Sequence, residues 1–326
     1  MINTLSNCFK NHMPVMLKGA PGIGKTDVIK QAAKKAGMKC IISHPVVSDP
    51  TDYKGLPTTV NGLAEFLPYG DLRQLMETDE PTVFFLDDLG QAPAVVQAAC
   101  MQLLLGGQIN GKAISRSVTF AAATNRREDR AGVTGILEPV KSRFYTILSL
   151  DVDKDDWVKW AMEHSMPSSL IGFVHFRPGL LVPGTPSQDI VNSPCPRTFA
   201  HAGRLIDIGE DSIEVLAGAV GEGAATELVS FLRICKSLPN IDNLIKNPDK
   251  AIIPDDVATK YAIVSALVDR ATKDNVGNIF KYGSRLPKEF DVCLGCSISN
   301  KDPEIFGTKA GIEWVRRHKD VIITNI

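Results

Sequence analysis

Short, continuous apolar runs alternate with amphipathic segments through the first 150 residues of the chain. The runs that predict β-strands cover residues 14–18, 39–43, 82–86, 118–123 and 144–150. Helical spacing lies between them, most clearly over residues 27–36 and 93–105. Because the runs are continuous rather than alternating, we expect the strands to be buried on both faces of a parallel sheet. The pattern predicts a doubly wound, five-stranded α/β domain over residues 1–150, with its ligand at the carboxyl ends of the strands.

The pattern changes after residue 151, where strand signals fade. Helical spacing predicts helices over residues 155–164, 198–208, 212–220 and 224–238, with a Pro/Gly-rich connector at 177–196. Residues 151–238 are therefore predicted to form a small helical domain. The remainder, 239–326, has a mixed, polar pattern with two or three weak helices and no readable motif.

Residues 19–26 read GAPGIGKT and fit the phosphate-binding pattern G-x-x-x-x-G-K-[ST] between a predicted strand and a predicted helix. Glycines let the backbone amides turn inward around an anion, and the helix adds its positive N-terminal end. Lys25 is expected to reach the β- and γ-phosphates, and the Thr26 hydroxyl to ligate Mg²⁺. The predicted nucleotide-binding residues are Gly19, Ala20, Pro21, Gly22, Ile23, Gly24, Lys25, Thr26 and Asp27.

An apolar strand ends in two carboxylates at residues 83–88, VFFLDD. We expect Asp87 to hold Mg²⁺ through water beside Thr26. Asp88 occupies the position where a glutamate usually polarises the attacking water. Aspartate is one methylene shorter, and a displacement of about 1 Å can cost on the order of 100-fold in rate. The sequence thus predicts slow hydrolysis unless the local backbone compensates.

Three further polar residues follow in positions suited to phosphate chemistry. Asn125 ends a strand of small residues and could orient the water or contact the γ-phosphate. Arg143, just before the last strand, could enter a neighbouring subunit's site, or it could form only a surface salt bridge. Arg197 opens a helix and could report nucleotide state to the helical domain, although a solvated first-turn arginine is the plain alternative.

These motifs, in this order, resemble the AAA+ ATPases over residues 1 to about 235, and the MoxR-type branch most closely. The segments similar to that branch are DPTDYKGLP at 49–57, FLDDLGQAP at 85–93, ATNR at 123–126 and the pair Pro196–Arg197. The resemblance implies ATP as the nucleotide, with Mg²⁺ held by Thr26 and Asp87. It implies that Asp88 and Asn125 position the attacking water. It also implies that Arg143 is an arginine finger that acts on the site of a neighbouring subunit. The resemblance further implies that residues 151–238 form a lid domain and that Arg197, within this lid, senses the bound nucleotide.

The same resemblance implies a ring homo-oligomer, in most cases a hexamer, that remodels or assembles a protein client, often with a von Willebrand A-domain partner. Two other functions stay open. The short Asp88 side chain is also suited to a nucleotide-gated binding switch that hardly turns over. A hairpin signal at 108–112, built on Asn110 and Gly111, would suit a DNA or RNA motor or loader.

Composition narrows these choices. A formal net charge of -1 gives no electrostatic footprint for nucleic acid or an anionic membrane. The N-terminus lacks a signal-peptide pattern, and no stretch approaches the roughly 18 to 20 apolar residues of a membrane span. Seven scattered cysteines suit a reducing compartment, so we expect a cytoplasmic protein. Cys293 and Cys296 form a lone C-x-x-C, which suits unremarkable thiols better than a redox pair or a zinc site.

Overall fold

The computed structural model describes residues 1–129, 132, 135–184 and 189–319. Its chain divides into two compact units, Met1–Asp151 and Val152–Ile326. Residues 185–188 of the predicted connector and residues 320–326 of the predicted extension lie outside the described part. A separate boundary near residue 238 stays a prediction.

The first unit is an α/β domain. Its elements are α1 (Ile2–Lys10), β1 (Val15–Lys18), α2 (Lys25–Ala36), β2 (Lys39–Ser43), α3 (Pro50–Lys54), β3 (Leu56–Val60), β4 (Leu63–Leu67), α4 (Gly70–Glu77), β5 (Thr82–Leu86), α5 (Ala94–Gly106), β6 (Gln108–Ile109), β7 (Lys112–Ala113), β8 (Val118–Thr124), α6 (Glu138–Lys141) and β9 (Thr146–Ser149).

Five of these strands form one sheet in the order β2-β5-β8-β1-β9, and every neighbouring pair is parallel. This confirms the predicted five-stranded parallel sheet. The order places β8 between β1 and β5. Since the carboxyl ends of parallel strands share one edge, the residues that follow these three strands meet there.

The continuous apolar runs are explained by burial on both sheet faces. Val83 and Phe85 of β5 pack in a cluster with residues of α1 and α2. Phe84 and Leu86 of the same strand point the other way, into a cluster with residues of α4 and α5. All four side chains are at most 1% exposed. A strand enclosed in this way needs apolar side chains at every position rather than at alternate ones.

Two antiparallel hairpins, β3–β4 and β6–β7, stand apart from the main sheet. The second confirms the turn predicted at 108–112, with φ of 47° at Asn110 and 79° at Gly111, as the favoured two-residue hairpin turn requires. The long segment 45–70, which lies between the second and third predicted strands, folds mainly as α3 and the β3–β4 hairpin. The Asn110 side-chain amide donates to the Lys54 carbonyl at 2.8 Å, so the β6–β7 turn contacts the end of α3.

The described part of the second unit is helical. It comprises α7 (Lys154–Glu163), α8 (Ser168–Phe176), α9 (Pro196–Asp207), α10 (Ile213–Val220), α11 (Glu222–Lys236), α12 (Ile241–Lys246), α13 (Val257–Arg270), α14 (Val276–Gly283), α15 (Lys288–Lys301) and α16 (Lys309–Arg317). Its C-terminal part therefore holds five helices, α12 to α16, where the sequence pattern predicts two or three. None of the described helices is long and apolar enough to span a membrane.

Helix α16 is fixed to α15 by a buried carboxylate. Asp291, 3% exposed, accepts hydrogen bonds from Trp314 Nε1 at 3.0 Å and Arg317 Nη2 at 2.8 Å. His318 Nε2 lies 3.2 Å from the same carboxylate. Gly295 of α15 lies under the indole, because a Cβ there would fall 2.1 Å from the Trp314 ring. A glycine at this position allows α15 and Trp314 to approach closely.

Candidate nucleotide site

The loop between β1 and α2 has a backbone that only glycine adopts readily. Gly22 and Gly24 have φ of 74° and 94°, in the left-handed region that other residues seldom enter. At Gly19 a Cβ would lie 2.6 Å from the Leu150 carbonyl oxygen. Gly24 ends the loop as the N-cap of α2 and bears no side chain. The loop therefore offers backbone amides and a helix N-terminus to an anion, as the motif predicts.

Lys25 is the first residue of α2 and only 7% exposed. Its ammonium donates to the carbonyl oxygens of Gly19 and Ala20, each at 3.0 Å, and to Asn125 Oδ1 at 2.5 Å. Lys25 and Asn125 are 100 positions apart in sequence. They meet because β1 and β8 are neighbouring parallel strands.

The next residue, Thr26, contacts the acidic strand. Its Oγ1 donates to Asp87 Oδ2 at 2.7 Å, and Asp87 is 6% exposed at the end of β5. A hydroxyl and a carboxylate oxygen are the hard ligands that Mg²⁺ prefers, so the pair fits this ion. No described cluster of three or more His, Cys, Asp or Glu could hold a metal. Phosphate oxygens and water would have to complete the coordination shell.

Asp88 lies beside Asp87 in an unusual conformation. Its φ of 55° and ψ of 33° place it in the left-handed region, which costs an L-residue about 1–2 kcal/mol, although aspartate tolerates it better than most. Gln91 Nε2 donates to Asp88 Oδ1 at 2.9 Å, and the Gln91 backbone N–H donates to the Asp88 carbonyl at 3.0 Å. The second carboxylate is thus held by a tight turn rather than by an extended strand end.

The turn that follows Asp88 packs against the end of β8. A Cβ on Gly90 would lie 2.0 Å from Thr124 Oγ1, so a larger residue would force the turn and the end of β8 apart. Just beyond Asn125, the Arg126 backbone N–H and Nη2 both donate to the Asp129 carboxylate, at 2.9 and 3.1 Å. Hydrogen bonding to Asp129 raises the pKa of the Arg126 guanidinium above its ordinary value.

The segment 49–57 is anchored next to β2 rather than to the phosphate loop. The Asp49 and Asp52 side chains form a reciprocal capping box at the start of α3. The Tyr53 hydroxyl lies 2.8 Å from Ser43 Oγ and donates to Ser48 Oγ at 3.2 Å. Burial raises the pKa of Tyr53 to about 12. These contacts fix the segment to the carboxyl end of β2.

Of the two predicted arginines, Arg143 lies in the first unit and has no hydrogen bond or ion pair to residues 19–27 within the described part of the chain. Arg143 is half-buried and donates to the Pro139 carbonyl, while its Nε is buried with no partner among the described residues. Arg197 is exposed in the first turn of α9, in the second unit. Their roles stay predictions.

The motifs predict a shared site for Lys25, Thr26, Asp87, Asp88 and Asn125, and the structure places all five at one edge of the sheet. The motifs assign no role to Gln91 or to the Arg126–Asp129 pair, although Gln91 and Arg126 lie within the segments 85–93 and 123–126. A sequence segment does not show what an amide or a guanidinium contacts, and only the hydrogen bonds to Asp88 and Asp129 reveal these partners.

No family model matches the sequence, and no curated protein matches it significantly. Among solved structures, the chain is similar to a mutant of RuvB from Thermotoga maritima, with 16% identity, a TM-score of 0.43 and coverage of 82% of this chain and 80% of that one. Another is the T. maritima RuvB Holliday junction branch migration motor, at 15% identity, TM-score 0.41, and coverage of 82% and 79%. A third, a candidate ATPase from Cytophaga hutchinsonii, has 14% identity, TM-score 0.37, and coverage of 90% and 78%.

These identities and TM-scores are too low to assign the class of the protein. The class therefore follows from the geometry of this chain alone. That geometry is a parallel sheet ordered β2-β5-β8-β1-β9 with a glycine-bearing phosphate loop after β1. The first unit has the P-loop NTPase fold.

Proposed function

We propose that this chain binds ATP with Mg²⁺ and hydrolyses it to ADP and phosphate. The observation that carries the proposal is a pair of contacts between distant motifs, Lys25 Nζ to Asn125 Oδ1 at 2.5 Å and Thr26 Oγ1 to Asp87 Oδ2 at 2.7 Å. They bring an ammonium, a hydroxyl, a carboxylate and an amide together beside a glycine-rich anion loop. A nucleoside triphosphate with its metal needs all of these groups.

Each side chain has a separate task in this proposal. Lys25 supplies positive charge to the β- and γ-phosphates, and Thr26 and Asp87 hold the metal. Bound Mg²⁺ supplies neutralisation of the charge that develops on the phosphate oxygens. Asp88 accepts a proton from the water that attacks the γ-phosphorus, while Asn125 orients that water. The bond from the γ-phosphorus to the bridging oxygen breaks, so ADP leaves with that oxygen.

We further propose that the chain is an AAA+ protein of the MoxR type, that it forms a ring homo-oligomer and that it acts on a protein client. A von Willebrand A-domain protein is a candidate partner. These further proposals are supported by the motif order and by Arg143. Its Nε is buried with no hydrogen-bond partner among the described residues, so the residues described around it leave part of its hydrogen-bonding capacity unused. In a ring, the guanidinium would turn to the γ-phosphate of the neighbouring subunit.

Replacing the Thr26 hydroxyl tests the metal role. In Thr26→Val we expect Mg²⁺ to lose most of its ability to tighten ATP binding, by about 10- to 100-fold, while metal-free ATP binding changes little. Titration of a fluorescent ATP analogue with and without Mg²⁺ measures both. Thr226→Val, an exposed threonine of α11, is the matched control. Equal Mg²⁺ dependence in Thr26→Val and wild type would refute the metal role.

A second candidate is a nucleotide-gated binding switch with very slow turnover. The short Asp88 side chain in its left-handed conformation favours it. Tight ATP binding without ADP production over hours would support the switch, and Asp88→Glu should then increase turnover. ATPase activity stimulated by DNA or RNA, and lost as salt rises, would instead support a nucleic-acid motor.

A further inference from the structure

We propose that Gln91 is the positioning residue for Asp88, holding its carboxylate where the attacking water is deprotonated. The inference rests on the hydrolysis proposed above and adds a residue that no part of the P-loop or Walker B pattern requires. Its starting point is the 2.9 Å hydrogen bond from Gln91 Nε2 to Asp88 Oδ1. A carboxylate only accepts, so the side-chain amide must present its NH₂ group to Asp88 and its oxygen away from it.

The cost of this arrangement points to function. Asp88 holds a left-handed backbone at φ 55°, and Gln91 Oε1 is buried without a hydrogen-bond partner among the described residues. Two unfavourable features therefore coincide at one contact between two side chains. Backbone strain that persists is concentrated at functional sites, where the surrounding structure maintains it, and a buried polar atom without a partner is rare enough to call for an explanation.

The surrounding turn is built to keep the contact. The Gln91 N–H donates to the Asp88 carbonyl, which fixes the spacing between the two side chains. Gly90, between them and the end of β8, has no room for a Cβ because Thr124 Oγ1 would lie 2.0 Å away. The residue before Gln91 is therefore packed tightly against Thr124, the last residue of β8 and the neighbour of Asn125. The left-handed turn and the Gln91 amide together determine the direction of the Asp88 carboxylate, whose side chain is shorter than that of a glutamate.

Replacing Gln91 by methionine keeps the side-chain length and removes the donor. With Gln91→Met we expect the turnover number to fall about 10- to 100-fold, with KM and ATP affinity unchanged, because Lys25, Thr26 and Asp87 keep their contacts. Single-turnover ADP formation and equilibrium ATP binding measure the two quantities. Gln74→Met, an exposed glutamine of α4, is the matched control and should match wild type.

A double-mutant comparison separates positioning from a structural effect. If Gln91 acts through Asp88, Gln91→Met should cause no further loss of turnover in an Asp88→Asn background, since an amide at position 88 accepts no proton from water. An equal loss in both backgrounds, or wild-type turnover in Gln91→Met, would overturn the positioning role while leaving ATP hydrolysis in place. A wild-type protein that binds ATP and never forms ADP would overturn the hydrolysis proposal, and the role of Gln91 with it.

Discussion

At the scale of single residues, a substitution of Asp88 distinguishes ATP binding from ATP hydrolysis. Asp88→Asn keeps a residue that tolerates the left-handed conformation and removes the proton acceptor. We expect ATP binding to persist and ADP formation to fall by about 10²- to 10⁴-fold, the usual contribution of a general base. Single-turnover assays at saturating ATP measure this. Unchanged turnover in Asp88→Asn would assign the base to another residue.

A second single-residue prediction concerns His175 in α8. Burial, with a smaller contribution from nearby Lys154, lowers the pKa of His175 to about 4. In the unfolded chain the pKa of His175 is near 6.5, so the unfolded chain binds more protons than the folded one as the pH falls. The second unit should lose stability from about pH 6.5 down to pH 4, by on the order of 2–3 kcal/mol.

His175→Phe removes that titration. All three tryptophans, Trp157, Trp160 and Trp314, lie in the second unit, so tryptophan fluorescence during urea unfolding reports on it selectively. The wild type should lose more free energy of unfolding than His175→Phe between pH 7 and pH 4.5. Equal losses in the two proteins would show that His175 is not buried as a neutral imidazole.

At the scale of elements, the contact between α15 and α16 has a clear weak point. Gly295→Ala would place a Cβ 2.1 Å from the Trp314 ring, which must displace the indole from Asp291. We expect a loss of roughly 1–3 kcal/mol in the free energy of unfolding of the second unit, as in other overpacked cores. Urea unfolding followed by tryptophan fluorescence measures it.

The matched control is Gly218→Ala in α10, where a Cβ would meet nothing within 4 Å. Alanine is the better helix former, so this change should stabilise the second unit by about 0.5–1 kcal/mol. If Gly295→Ala were as harmless as Gly218→Ala, α16 would not be packed against α15 as described.

The elements also show which features a sequence can reveal. The strands β1, β5 and β8 were predictable because each is a continuous apolar run followed by its own polar motif. Helix α8 escaped prediction because it is apolar on nearly all sides, with Leu170 and Phe173 fully buried, and so lacks amphipathic contrast. Gln91 escaped because its significance lies in a hydrogen bond and in the backbone conformation of another residue.

At the scale of the whole molecule, the proposed ring can be tested by complementation. Arg143→Ala and Asp88→Asn should each be nearly inactive alone, since one lacks the finger and the other the base. Mixed together, they should regain activity, because some interfaces then combine an intact Arg143 with an intact Asp88. The readout is ATP turnover as the ratio of the two variants is changed. A mixture no more active than its components would place the whole site in one chain.

The most direct test of the central claim is ATP turnover per protomer as the protein concentration rises, with Mg²⁺ and without nucleic acid. We predict measurable turnover that rises as subunits assemble. It should be lost in Lys25→Ala, because this variant lacks the ammonium that contacts Asn125. Turnover that is real but independent of concentration would contradict a site completed between subunits. ATP binding with no turnover at any concentration would contradict the proposed hydrolysis.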